Sequence, residues 1–340
     1  MIRQLFLVAA LWIGGMTGTN AQPVLIGFED LEGWARDDHA AAVSTFLETC
    51  ADLDTAVWGP VCAIARQTDD PRAFFETLFL PVVFGPDETA LFTGYFEPEI
   101  RASLTRKPAF ETPLYRMPPE LPKGGRWQTR AEIEDGGVLA DRGLEIAWAA
   151  DPVEAFFMQI QGSGRLILDD GGVIRLGYAG KNGHEYRSIG QELIRRGVYQ
   201  AHQVSAQVIS RWVARYPAEG KKLLQYNPSY VFFRVVNEVP AERGPLGAMN
   251  RSVTPGRSIA VDPLYTPLGA PVWIEKDGKD PMRRLMIAQD TGSAIKGRQR
   301  ADIFFGTGDD AGQQAGRIRD PGRMVTLLPI EMALRITGSE

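Results

Sequence analysis

Apolar and polar positions along this chain follow two rhythms. Between residues 22 and 80 the apolar residues recur at helical spacing, over Ala40–Cys50 and again over Pro71–Phe79 (PRAFFETLF), where proline stands at a first helical position. From Phe84 the rhythm shortens to that of strands. Thr89–Glu99 (TALFTGYFEPE) alternates until Pro98 stops it. Residues 106–147 are rich in Pro, Gly and charge, and predict an ordered excursion rather than a loose linker, because Phe110, Tyr115, Met117 and Trp127 would otherwise be exposed. Within it Thr129–Glu134 predicts a short capped helix. Phe156–Leu168 (FFMQIQGSGRLIL) predicts a hairpin turning at its glycines, continued by Val173–Gly177 and a loop over Tyr178–Gly183. Helices are expected over Ser188–Gly197 and Val204–Tyr216, and a strand over Tyr230–Val236.

The final third is strand after strand: Ser258–Val261, Pro271–Glu275, Leu285–Ala288, Ile303–Phe305 and Met324–Leu328, separated by Pro and Gly turns. Short strands so spaced argue for a closed barrel, and the 36 Gly and 23 Pro of the 340-residue chain point the same way. The formal charge of −5 carries no footprint for nucleic acid. Three histidines and two cysteines, none at metal-ligand spacing, argue against a structural zinc, and no Walker or Rossmann pattern supports nucleotide chemistry. His184 has no Gly-x-Ser-x-Gly elbow or cysteine beside it, so nucleophilic hydrolysis lacks support.

The N-terminus predicts export. Arg3 is followed by the apolar Leu5–Ile13 and by the small-residue site Thr19–Asn20–Ala21, giving a signal peptide over 1–21. No cysteine follows it, so a lipoprotein anchor at that site is not expected. In an exported protein Cys50 and Cys62 have two readings, a disulfide or a pair of buried thiols.

Three constellations carry candidate chemistry. The first is Arg284–Gly308, in which Asp290 and Asp302 flank a loop bearing Gly292, Gly297, Lys296, Arg298 and Arg300. A carboxylate in a partly apolar cleft holds its proton nearer neutrality, which suits a general acid. Ile303, Phe304 and Phe305 would supply the apolar surroundings and the cations would oppose them. The other reading is two turn aspartates capping backbone amides. The second is Gln159, Gln161 and Ser163 with Lys181–Asn182–Gly183–His184, the glutamines sharing one face of the expected strand, as amides suited to sugar hydroxyls or as a solvated polar face. The third is Thr93–Gly94–Tyr95–Phe96–Glu97, a sugar-stacking surface or plain core.

In order along the chain stand Thr93–Gly94–Tyr95–Phe96–Glu97–Pro98, Tyr115–Arg116–Met117–Pro118–Pro119, Thr129–Arg130–Ala131–Glu132–Ile133, Met158–Gly164, Tyr178–Gly190 (YAGKNGHEYRSIG), Asn227–Phe233 and the Arg284–Gly308 segment. Together, over Phe84–Leu328, they resemble the membrane-bound lytic murein transglycosylase A family, with its C-terminal 3D domain. The resemblance implies a mainly β, α+β protein: a double-psi β-barrel built from 22–105 and 237–340, a β-rich domain inserted at 106–236, and a glycan groove between them. It implies a periplasmic, monomeric enzyme with peptidoglycan strands as its partner, and leaves peripheral association with the outer membrane open. That enzyme would cleave between N-acetylmuramic acid and N-acetylglucosamine, leave 1,6-anhydromuramic ends, and need no cofactor or metal. By position Asp302 becomes the acid/base and Asp290 its support, with Thr93, Tyr95, Gln159, Gln161, Ser163, Lys181, Asn182, Thr291 and Lys296 binding substrate. The alternatives are a hydrolase using Asp302 and Asp290 with water, and a non-catalytic glycan-binding barrel.

Overall fold

The computed structural model of the chain describes residues 22–53 and 56–338; the expected signal peptide lies outside them. The chain opens with β1 (Val24–Leu25), α1 (His39–Thr49), α2 (Trp58–Ala65), α3 (Pro71–Leu78), β2 (Phe79–Val83), β3 (Ala90–Glu97), β4 (Glu99–Ser103) and β5 (Thr112–Tyr115). It continues through α4 (Arg130–Gly136), β6 (Glu145–Ala149), α5 (Pro152–Gln161), β7 (Gly164–Leu168), β8 (Val173–Lys181), α6 (Ile189–Arg195), α7 (Ala206–Arg215), α8 (Pro217–Tyr226) and β9 (Val231–Val236). The last third supplies β10 (Ser258–Val261), β11 (Pro271–Lys276), β12 (Met282–Thr291), β13 (Arg300–Thr307), α9 (Asp309–Ala315), β14 (Arg319–Pro329) and α10 (Ile330–Thr337).

These strands form two sheets. The first runs β1-β2-β14-β11-β12-β10-β13-β3, and β3 pairs back onto β14, so the six strands from β14 round to β3 close into a barrel. The second runs β5-β6-β4-β7-β8-β9, and Arg116, just beyond β5, bridges to Phe233 of β9 and curls it towards closure. Barrel strands are buried on both faces. Met286, Ala288, Val272, Ile274 and Met324 point to the barrel interior, while Leu285, Ile287, Trp273 and Val325 pack outward beneath α1–α3 with Trp34, Phe46, Trp58 and Phe75. This is why Leu285–Ala288 reads as an unbroken apolar run instead of an alternation. Each aromatic in that outer layer contributes roughly 1.5–3 kcal/mol by leaving water. The buried Arg257–Asp37 ion pair, at 2.7 Å, pins the same layer to the barrel. Of the two readings of Cys50 and Cys62, the disulfide is the one realised, tying the end of α1 to α2.

The helix over Thr129 forms as expected: Thr129 accepts from Glu132 N at 3.3 Å, while Glu132 accepts from Thr129 N at 2.7 Å. Three expectations need correction. Phe156–Gln161 is not the first arm of a hairpin but the end of helix α5, capped by Asp151 with Pro152 in its first turn and closed by Gly162 at φ +82°. Strand β8 runs on through Tyr178 to Lys181, where a loop was expected. The chain also leaves the barrel earlier than the Pro-rich crossing near 106, because Pro98 breaks the strand and β4 already pairs with β6 and β7 in the second sheet.

That crossing is fixed by one buried carboxylate. Glu97, fully buried, accepts from Arg165 Nε at 3.0 Å and from Thr307 Oγ1 at 2.8 Å, and Arg175 Nε lies 2.9 Å from its other oxygen. Arg165 and Arg175 stand on β7 and β8, and both also donate to Arg243 O on the return crossing, at 3.2 and 2.6 Å. One node therefore holds both chain crossings between the sheets.

Candidate active site

The register of the barrel brings the two aspartates to one face. Ala260 of β10 pairs with Asp302 of β13 on one side and with Asp290 of β12 on the other. Ile259 pairs with Ala288, so Gln289 is an extra residue, a bulge. Without it Asp290 would share the inward face of Met286 and Ala288. The bulge turns it outward beside Ala260 and Asp302, as bulges near sites commonly do. The two aspartate backbones stand two strand spacings apart, about 9–10 Å. Neither is a turn residue. Asp302 pairs with Thr93 and Phe304 with Tyr95 across β13 and β3, which places all four side chains on that outer face.

The two carboxylates differ in what holds them. Asp290 Oδ1 accepts from Thr291 N at 2.8 Å and Ala248 N at 3.0 Å, and Oδ2 accepts from the Tyr95 hydroxyl at 2.9 Å. Burial pushes its pKa up to about 6 even though these donors pull it down. Burial likewise raises Asp302 above the ordinary carboxylate range, opposed by the Thr93 hydroxyl bonded to Oδ1 and by the Arg300 charge. Oδ2 of Asp302 has no partner among the described residues and faces a cleft of about 920 Å³. Tyr95 is held well above an ordinary phenol by burial and by Asp290, so its hydroxyl stays protonated. The expected apolar surroundings of Asp302 need correction. Ile303 and Phe305 point into the barrel core, since neighbours alternate, and only Phe304 shares its face.

The second sheet supplies the opposite wall. Gln161 accepts from Phe96 N at 3.2 Å, joining the end of α5 to β3 at the floor of the cleft. Tyr95, Gln159, Gln161, Ser163, Lys181, Thr291 and Lys296 all line the cleft with Asp290 and Asp302. The loop from Thr291 to Gly297 is pinned by buried Asp262, which accepts from Gly297 N at 3.0 Å and lies 3.8 Å from Lys296 Nζ.

Other assignments change. Gln159 and Gln161 do not share a strand face; they sit at a helix end, and Gln159 is buried with its carbonyl bound to Arg130. Thr93 does not line the cleft but bonds Asp302 from behind. Asn182 is fully buried and spent inside the chain: its amide donates to Gln128 O and Pro228 O and accepts from Tyr230 N, each at 2.8 Å. Of Lys181–Asn182–Gly183–His184 only Lys181 reaches the cleft, while His184 Nε2 lies 2.8 Å from Trp127 O and completes the clamp on that loop. Asn182→Ala is therefore expected to lower stability by about 2–4 kcal/mol, leaving buried backbone groups without partners, and to leave activity per folded molecule nearly unchanged. Thermal unfolding with an active-fraction assay checks this; lost activity at full stability would restore Asn182 to substrate binding.

The sequence reading missed several cleft residues. Tyr178 and Tyr186 present partly exposed rings, and Arg234 and the Pro245–Ala248 segment complete the walls. Tyr178 and Tyr186 lie inside the YAGKNGHEYRSIG motif, but only the extension of β8 turns Tyr178 to the cleft. Among the described residues no cluster of ligating side chains is arranged for a metal.

Residues 91–234 match the MltA specific insert domain and residues 257–328 the 3D domain. The membrane-bound lytic murein transglycosylase A of Escherichia coli K12 is 41% identical over 244 residues, spanning 69% of this chain and 65% of that protein. A crystal structure of membrane-bound lytic murein transglycosylase from Agrobacterium tumefaciens is 34% identical with a TM-score of 0.81, covering 93% of this chain and 99% of that one. The chain belongs to the membrane-bound lytic murein transglycosylase A family. A further family structure, E. coli MltA with bound chitohexaose, superposes with a TM-score of 0.74 at 31% identity, covering 93% of this chain and 98% of that chain. The mixed α+β architecture with two barrel-like sheets is thus the architecture of the family. This family member has no helix among its described residues long and apolar enough to cross a membrane.

Proposed function

We propose that this chain is a lytic transglycosylase of peptidoglycan, cleaving the β-1,4 bond between N-acetylmuramic acid and N-acetylglucosamine and leaving 1,6-anhydromuramic ends. Family membership supports the reaction class, and the chitohexaose bound to the E. coli relative supports a glycan in the cleft. The deciding observation is the unequal tethering of the two carboxylates. Asp290 has both oxygens engaged by three donors, whereas Asp302 keeps Oδ2 open to the cleft. One free acid/base suits a reaction whose nucleophile belongs to the substrate, while hydrolysis by two carboxylates requires a second free base for water.

Asp302, protonated, gives its proton to the glycosidic oxygen as the bond from C1 of muramic acid breaks and the electron pair leaves with that oxygen. An oxocarbenium-like sugar forms. The Asp302 carboxylate then takes the proton of the C6 hydroxyl as O6 bonds to C1 and closes the anhydro ring. Because the attacking group is intramolecular, its effective concentration is high and no water enters. Asp290, at about 6 and largely ionised at neutral pH, stabilises the developing positive charge, and its bond to Tyr95 links β12 to β3 across the two strands between them.

Gln161, Ser163, Lys181, Thr291 and Lys296 contact the glycan, and Tyr178 and Tyr186 offer ring faces to sugars. The chain works after export to the periplasm of a Gram-negative cell, associated peripherally with wall or outer membrane. Digestion of purified sacculi followed by mass analysis tests the reaction. Products ending in 1,6-anhydromuramic acid are expected; hydrated reducing ends alone would replace this reading with a hydrolase.

A further inference from the structure

Behind Asp302 runs a short relay. Arg300 Nη2 donates to Thr93 Oγ1 at 2.8 Å, and Thr93 Oγ1 bonds in turn to Asp302 Oδ1. A guanidinium only donates, and a threonine hydroxyl carries one proton. Thr93 Oγ1 therefore accepts from Arg300. Its proton has Asp302 Oδ1 as its one acceptor among the described residues. Were the acidic proton on Oδ1 and donated to Thr93, the Thr93 proton would point at no acceptor. We propose that Arg300 is a positioning residue for the acid step: through Thr93 it commits Oδ1 to accepting, and so leaves the acidic proton of Asp302 on Oδ2, the oxygen that faces the cleft. This rests on the reading of Asp302 as the proton donor.

The same relay serves both halves of the reaction. Thr93 donates to Oδ1 whether Oδ2 is protonated or charged, so no side chain turns over between proton donation and proton recovery. The register supports the arrangement from both sides. Thr93 is the pairing partner of Asp302 on β13 and of Arg319 on β14. Arg300 is held by its own bonds to Leu91 O at 3.2 Å and Ala301 O at 2.6 Å. The charged and titratable groups facing this corner are Arg300 on β13, Tyr95 on β3, Asp290 on β12 and Arg319 on β14. Arg319 acts on Arg300, and Asp290 and Tyr95 sit across the cleft face from Asp302.

The test compares Thr93→Val, Thr93→Ser, Arg300→Met and Asp302→Asn on isolated glycan strands, following kcat, KM and the pH profile of kcat/KM. Thr93→Val removes the donor to Oδ1. It is expected to lower kcat on the order of tenfold or more at nearly unchanged KM, and to move the alkaline limb to higher pH, because a donor that favoured the charged form is gone. Thr93→Ser keeps the hydroxyl and is expected to restore both. Arg300→Met shifts the limb in the same direction with a several-fold loss of kcat. Arg300→Met also removes bonds to two backbone carbonyls, so if it fails to fold, the Thr93 pair decides alone. A Thr93→Val enzyme with the wild-type limb, or a Thr93→Ser enzyme as impaired as Thr93→Val, overturns the relay. An active Asp302→Asn enzyme instead overturns the acid/base reading beneath it, a separate outcome.

Discussion

Asp302→Asn is expected to reduce release of anhydromuropeptides from sacculi by about 10³-fold or more, with a thermal midpoint within a few degrees of wild type. The asparagine fills the same space and still accepts from Thr93 through its carbonyl oxygen. What it loses is the titratable proton, and general acid–base participation contributes roughly 10²–10⁴ on its own. Because one group here would serve as both acid and base, its removal strikes both steps. Stability should not suffer, since the site is one where burial already disfavours the charged carboxylate. Asp290→Asn is expected to cost less, about tenfold, because the introduced amide would still accept from Ala248 N or Thr291 N through its carbonyl. Steady-state turnover of both variants on one glycan preparation measures the contrast. Equal and severe losses would point to two-carboxylate hydrolysis. The pH profile has a definite sign: with Asp302 as the proposed protonated donor, kcat/KM is expected to fall as pH rises through its raised pKa.

The second large effect lies away from the cleft. Glu97→Ala is expected to destabilise the protein by about 3–5 kcal/mol, because it strands two arginine charges, one of them almost fully buried, around an empty site. For a chain of this size that corresponds to a fall of about 10 °C in the thermal midpoint. Glu97→Gln keeps the shape and one acceptor for Thr307, and should fall between. Activity is expected to decline with Glu97→Ala even below its melting range, since the node orients β3, which carries Thr93 and Tyr95 into the site, relative to β7 and β8 of the opposite wall. Calorimetry together with kcat at a temperature where the variant is fully folded separates the two effects. A variant as stable as wild type would mean that the arginines find water or backbone partners instead.

Much of this was legible in the residues. The five short strands of the final third all form, each longer than or equal to its apolar run, and β14 runs straight through Pro321–Gly322, where a turn would be read. That Asp290 and Asp302 would stand near one another was legible too, since both line the cleft, though not the pairing that brings them there. Two kinds of feature were hidden. Phe156–Gln161 reads as a strand from its apolar residues, while the true signal, Asp151–Pro152 at one end and Gly162 at the other, lies at the margins of the run. The orientation of Asp290 depends on a single extra residue, Gln289, and a bulge is a property of pairing between strands that no local pattern reveals. Asn182 misled for a related reason. A polar residue in a dense motif suggests a ligand, whereas its three bonds all close loops brought together from positions 128, 228 and 230.

The closure of the barrel has a consequence for the life of the chain before it is folded. Strand β3 is bracketed by β13 and β14, partners that lie more than two hundred positions further along the chain. Until β14 has been synthesised, β3 lacks one of its two neighbours and the barrel has no closed form. Contacts of such long sequence separation make folding slow, as the loop must be ordered before its contacts repay it. A nascent chain therefore has no premature barrel to unravel, a timing suited to the export proposed above, in which a polypeptide is threaded across a membrane before it takes its shape.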